Sequence, residues 1–158
     1  TRKAITRQDI FKLMTHFNRQ NIPQEGRYLL LDADMYSQLL QAMTQQEATA
    51  FHALANLSQG VMGKFLSFNI MQRSEAGLYT AAGAPKSWST AAAATDLAAG
   101  LAWHEQSVVR ALGEVRAFEN EGDPTWYGDI YSFLVRAGGR IRRADEKGVV
   151  ALIQSTTA

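Results

Sequence analysis

The sequence predicts an α+β fold, with helices early and strands late and little regular alternation between them. Three observations carry this. Ile10, Leu13, Met14 and Phe17 recur at helical intervals behind a Thr6/Asp9 capping-box spacing. Arg27-Tyr28-Leu29-Leu30-Leu31 is an apolar run too short for a helix and fits a buried strand. From Val61 onward apolar residues come in short runs broken by glycine and polar turns, with no internal repeat.

Taken in order, the first helix is expected over residues 6–19. Asn21-Ile22-Pro23 stops it, because the residue before a proline avoids the helical region. After the strand at 27–31, Asp32 and Asp34 offer N-caps to a second helix carrying Met35, Tyr36, Leu39, Leu40 and Met43. A third helix is expected from Ala48 to Leu57, with Phe51 and Leu54 on one face and Gly60 as its stop. Val61 to Ser74 is strand-like, with Phe65, Phe68 and Ile70 apolar.

Residues 72–97 hold Gly77, Gly83, Pro85 and many Ala, Ser and Thr, and are expected to form a long flexible loop of the kind that serves binding or assembly. Beyond it the expectations are a strand at Ala98–Trp103, a short helix at Glu105–Leu112, a strand at Val115–Phe118 and a turn-rich loop at Glu119–Pro124. Ile130–Val135 and Ile141–Arg143 would be strands joined tightly at Gly138-Gly139. Asp145-Glu146-Lys147-Gly148 turns into a last strand, Val149–Ile153. Tyr28, Phe65, Phe68, Phe118 and Phe133 are expected in the core.

Composition bounds the function. The chain has 158 residues, 46% apolar and 20% charged, enough for one domain with a real core. A formal net charge of +1 points to neither a dedicated nucleic-acid binder nor a membrane-surface protein. With no cysteine, disulfides, thiolate metal sites and cysteine nucleophiles are excluded. No apolar run approaches membrane-spanning length. The start, Thr1-Arg2-Lys3-Ala4-Ile5, has neither an initiator Met nor a signal-peptide pattern, and reads as a cytoplasmically made segment of something longer.

Several phrases together resemble the C-terminal half of Hong Kong 97-type major capsid proteins, the family shared by tailed phages and herpesviruses. The first is Asn21-Ile22-Pro23-Gln24-Glu25-Gly26-Arg27-Tyr28-Leu29-Leu30-Leu31, between an amphipathic helix and Asp32-Ala33-Asp34-Met35-Tyr36-Ser37-Gln38-Leu39-Leu40. The second is Gly60 through Ile70, where the family often has Gly in place of Ser67. The third is Leu101-Ala102-Trp103-His104-Glu105 with the residues to Leu112, and the fourth is Tyr127-Gly128-Asp129 with the strands after it.

The resemblance implies the family's axial domain, a central sheet flanked by helices, over residues 1–158, with both ends leading toward a mostly missing peripheral domain. It implies a structural coat protein that self-assembles into pentamers and hexamers of an icosahedral virion shell, put together in the host bacterial cytoplasm. Its partners would be copies of itself, scaffold or portal proteins, and packaged DNA only non-specifically, with no membrane and no cofactor. A bacterial nanocompartment shell protein shares the fold, and a non-viral binding module and a small hydrolase stand as rivals.

The residues themselves favour no reaction. His16, His52 and His104 are far apart, and His104-Glu105 lacks the second histidine of a zinc-protease helix. Gly63-Lys64 is followed by Phe65, not Ser or Thr, and there is no nucleophile elbow. The carboxylate pairs Asp32/Asp34 and Glu119/Glu121 are expected at caps and turns. No catalytic or metal residue is therefore expected.

Candidate subunit contacts are Trp88 in the long loop, Trp126 and Tyr127 after Gly122-Asp123-Pro124, and the basic residues Arg136, Arg140 and Arg142. Strand alternation would place Arg140 and Arg142 on one face and Arg143 on the other. These arginines fit contact with acidic patches or DNA, and equally a solvated sheet edge that discourages pairing. Trp126 and Tyr127 fit interface anchors, and equally plugs over the sheet end.

Overall fold

The computed structural model describes residues 2–156 apart from residues 89, 124 and 126. Three helices come first: α1 (Arg7–Arg19), α2 (Ala33–Ala42) and α3 (Gln45–Ala53), with strand β1 (Arg27–Leu31) between the first two. Strands β2 (Val61–Phe65), β3 (Phe68–Gln72), β4 (Leu78–Tyr79), β5 (Leu97–His104), β6 (Val108–Asp123), β7 (Gly128–Ile141) and β8 (Val149–Ile153) follow. The main sheet runs β2-β3-β1-β5-β4 with β8 also on β5, and every pairing is antiparallel except β1 with β3. Strands β6 and β7 form a separate two-stranded sheet.

Caps fix the helices. The Asp9 carboxylate accepts from the Thr6 backbone N–H and hydroxyl, at 2.9 and 2.7 Å. Asp32 accepts from Met35 N at 2.6 Å and so starts α2. A capping box, Thr44 with Glu47, starts α3 three residues earlier than the apolar pattern suggests, and Leu54 is left exposed past its end. Cap and ion pair reinforce each other here. Hydrogen bonds from the Thr44 backbone and hydroxyl, then from Arg7 on α1, push the Glu47 carboxyl down to about 2.

All three helices cover one face of the sheet. Ile10, Leu13 and Phe17 from α1, Met35, Tyr36 and Leu39 from α2, and Phe51 from α3 pack on Leu29, Leu31, Phe68, Ile70 and Ala102. This follows from the strand's period of two: Arg27, Leu29 and Leu31 are buried, while Tyr28 and Leu30 turn to the other face. There Tyr28 stacks on Trp103 at 5.6 Å. Helix α3 sits close over β2 because position 63 is glycine; a Cβ there would come within 2.6 Å of the Phe51 ring and carbonyl.

Buried with this core is a guanidinium. Arg27 is 0% exposed, and its ring neighbours are Phe17 and Phe68. Its Nε donates to the Pro23 carbonyl at 2.7 Å, one terminal nitrogen to the Ser67 hydroxyl at 3.0 Å, and the other to Asn18 Oδ1 and the Ile22 carbonyl. Burial pushes its pKa down, yet an arginine stays protonated in a protein.

The second half departs from expectation. The segment expected as a helix at Glu105–Leu112 is a 3₁₀ turn at Glu105–Ser107 followed by strand, since the β-branched pair Val108-Val109 suits an extended chain. The loop expected at Glu119–Pro124 continues strand β6 through Asp123. Gly138-Gly139 is no connection: both residues lie inside β7, opposite Ala111 and Arg110. Phe118 and Phe133, expected in the core, are 50% and 74% exposed.

The loop at 72–97 is partly organised. It contains β4, a Tyr79–Pro85 bridge, and a Lys86–Asp96 ion pair at 2.6 Å that also takes the Ala93 N–H.

Two predictions follow from these contacts. Replacing Arg27 with Ala empties its site and strands two carbonyls and two side-chain acceptors, so urea unfolding should show a loss of about 3–5 kcal/mol. Because the Glu47 carboxyl is depressed, its contribution is present above the ordinary carboxylate range and is lost as pH falls toward about 2. Thermal melts across that range should show a smaller acid loss for Glu47→Gln than for the parent chain.

Candidate functional site

The long hairpin β6–β7 collects most of the residues that could meet a partner. It leaves the body after the 3₁₀ turn and returns at Arg142, whose backbone N–H donates to the Ser107 carbonyl at 2.8 Å. Away from this root both faces are exposed along nearly its whole length.

The pairing register divides its residues by face. One face carries Tyr131, Phe133, Val135, Ala137, Gly139 and Ile141 of β7. Directly opposite on β6 are Glu119, Ala117, Val115, Leu112, Arg110 and Val108. A bulge between Leu112 and Val115 keeps this face in phase along the strand. The other face carries Ser132, Leu134, Arg136 and Arg140, with Arg116 and Phe118 from β6.

The hairpin thus has one mainly apolar face, which also holds Arg110 and Glu119, and one on which Arg116, Arg136 and Arg140 stand beside Phe118 and Leu134. Sequence reasoning missed the apolar one; Tyr131, Phe133 and Val135 at every second position were its signal, blurred by Leu134 among them.

Of the expected contact residues, Arg136 and Arg140 share the basic face, while Arg142 does not continue the alternation. Strand β7 ends at Ile141, Arg142 anchors the root through its backbone, and Arg143 turns away to clamp Asp145 at 2.8 and 2.9 Å. That clamp holds the Asp145 carboxyl far below the usual range and raises Arg143. Tyr127 is at the hairpin tip, 97% exposed with φ +54, so it plugs nothing. Trp126 lies outside the described residues. Glu119 and Glu121 are on a strand rather than in a loop.

Trp88 belongs to a different region. It is 67% exposed on the segment between β4 and β5, with the Arg73 guanidinium 5.8 Å from its ring centroid. The structure does not gather Trp88 with the hairpin arginines into one patch of secondary structure. His104 is buried, and its Nδ1 accepts from Gln106 N at 3.2 Å, which caps the 3₁₀ turn. Among the described residues no three or more His, Cys, Asp or Glu cluster as metal ligands would. Among them, too, no helix is long and apolar enough to cross a membrane.

No protein-family model and no curated protein matches the sequence. Solved structures do. A chain from Mycobacterium phage Che8 superposes with a TM-score of 0.60 at 18% identity, covering 96% of this chain and 51% of that one. A chain of the capsid structure of the cyanophage P-SCSP1u gives 0.62 at 18% identity, covering 100% and 51%. The fold is capsid-like. This chain spans about half the length of the solved chains it matches.

The hairpin arginines and the loop ion pair should respond differently to neutralisation. The side chains of Arg136 and Arg140 bond to nothing within the described residues, so Arg136→Gln with Arg140→Gln should move the unfolding free energy by less than about 0.5 kcal/mol. Asp96→Asn leaves the half-buried Lys86 without its counter-charge, and differential scanning calorimetry should show a clearly lowered Tm.

Proposed function

We propose that the chain is a shell-building subunit: the axial-domain half of a Hong Kong 97-type major capsid protein of a tailed phage, without chemistry of its own. The observation that carries this reading is the superposition of nearly the whole chain on two phage structures, one of them a capsid. The quoted phrases supply independent support, because the geometry gives several of them work. Gly26, at φ +70, accepts the Glu105 N–H with its carbonyl, and a Cβ there would meet the Glu105 side chain at 2.7 Å. Arg27 of the same phrase is the buried guanidinium, and Ser67, where the family often has glycine, gives it an acceptor.

On this reading copies meet head to tail through heterologous contacts that close into rings of five and six. Trp88, Trp126, Tyr127, Arg136, Arg140 and Arg142 are the proposed contact residues. The loop at 72–97 is the part that adapts one chain to both ring sizes. The arginine face also suits non-specific contact with packaged DNA, through phosphates rather than bases. Scaffold or portal proteins would be its other partners, and the virion shell its location.

Electron micrographs of the concentrated chain test the reading. The chain alone is expected as a monomer or as weak rings of five or six copies, the rings thinned by Trp88→Ala and by Arg136→Glu with Arg140→Glu. Closed shells built from this chain alone would count against it.

A further inference from the structure

A cleft of about 320 Å³ lies where the hairpin meets the body, with His104, Gln106, Ser107, Arg142 and Arg143 around it and Ile22 and Pro23 as its apolar wall. Elsewhere the body satisfies its buried polar groups; here two are only half used. His104 is 3% exposed, and its Nδ1 accepts from Gln106 N at 3.2 Å. The ring proton is therefore on Nε2, which has no acceptor among the described residues. Ser107 is 2% exposed, and its hydroxyl has no partner among them either. Yet no fully buried side-chain nitrogen or oxygen of the described residues lacks a hydrogen bond. Nε2 and the hydroxyl must then touch solvent, and the cleft that both residues line is where they do so.

We propose that this cleft is an oxyanion site for a phosphate group, held by the Arg142 guanidinium together with the His104, Ser107 and Gln106 donors. Charge favours an anion. The Arg142 side chain bonds to nothing among the described residues, while its backbone N–H, donating to the Ser107 carbonyl at 2.8 Å, keeps it beside the turn. No carboxylate lines the cleft. Asp145 is taken by Arg143, at 2.8 and 2.9 Å, and by Lys147 at 3.4 Å. Glu146 stands in the neighbouring depression with Arg140 and forms no ion pair among the described residues.

Shape favours phosphate over a carboxylate. A planar carboxylate offers two oxygens, whereas four donor groups set on a turn and a strand end suit the four oxygens of a tetrahedral anion. The arginine fork grips two phosphate oxygens at once, and the neutral donors take the others without adding repulsion between cations. The site is also held ready. Arg27 bonds the Pro23 carbonyl at 2.7 Å and so fixes the wall, and the bond from Gln106 N to His104 fixes the turn. Beside an apolar wall each of these bonds is stronger than in open water. Free phosphate and a nucleic-acid backbone present the same group, and the site does not require the shell reading.

Histidine-selective NMR of the 158-residue chain reads the site directly. Inorganic phosphate, titrated against chloride at matched ionic strength and constant pH, should shift the His104 ring resonances saturably, and by more than those of His16 and His52. Arg142→Gln, an exposed position, should weaken binding about tenfold, and Ser107→Ala several-fold. Arg140→Gln removes the same charge outside this cleft and should weaken it by less than about twofold. A short thymidylate oligomer then separates the sources. If it moves the His104 ring and Arg142→Gln cancels that shift, the site takes backbone phosphates; if only inorganic phosphate acts, it takes the free ion. A His104 ring indifferent to phosphate, or moved as far by chloride, overturns the proposal. So does an Arg140→Gln chain that loses as much affinity as Arg142→Gln, since binding would then be general attraction to the hairpin arginines. None of these outcomes depends on whether the chain forms rings.

Discussion

A charged group with no exposed surface organises the body of this protein. Arg27 sits on the one face of β1 that the helices cover, where Leu29 and Leu31 also point. All four of its hydrogen-bond acceptors are neutral: two carbonyls from the α1–β1 connection, an α1 side chain, and a hydroxyl from the β2–β3 turn. Desolvating a cation without a counter-charge is costly, so the site persists only while all these segments are in place together. The Phe17 and Phe68 rings complete the cage, each presenting its π face or edge near the charge. The result is a tie between helix, connection, central strand and turn that apolar packing alone would leave free to slide. It gives specificity to a core otherwise made of aliphatic and aromatic side chains.

The first 104 residues were largely legible in the sequence because each element there has both a local signal and a covered face. Thr6 with Asp9 and Asp32 mark starts that the structure uses, and the alternation of Arg27–Leu31 is the alternation of its burial. The arginine in that strand was not legible as core. A long cationic side chain reads as surface, and only the convergence of segments distant in sequence supplies its acceptors. Helix α3 was placed late, since its apolar signal is weak and its start is set by the Thr44–Glu47 box.

The hairpin was misread for a different reason. Glycine pairs mark turns when polar residues surround them, but Gly138 and Gly139 face Ala111 and Arg110 across an open ribbon where a turn is not needed. The true reversal falls between Asp123 and Gly128. Phe118 and Phe133 were assigned to the core because large apolar residues usually find one inside their own chain. Here each strand outruns the body, so its apolar residues are left exposed among the described residues. The candidate contact residues fared unevenly for the same cause: Arg136 and Arg140 keep the alternation of a strand, whereas Arg142 falls one residue past its end.

Body and hairpin consequently obey different rules. The body buries its polar exceptions and satisfies them, as the bonds of Arg27, Asp32, Asp96 and His104 show. The hairpin does the reverse, leaving Val115, Phe133 and Val135 uncovered on one face and Phe118 on the other, beside the arginines. An exposed two-stranded edge with apolar residues invites uncontrolled association. The hairpin meets the body at one end only. The 3₁₀ turn at Glu105–Ser107 and the bond from Arg142 to Ser107 give the hairpin such a root, close to where Gly26 ties Glu105 back to the segment that holds the buried guanidinium.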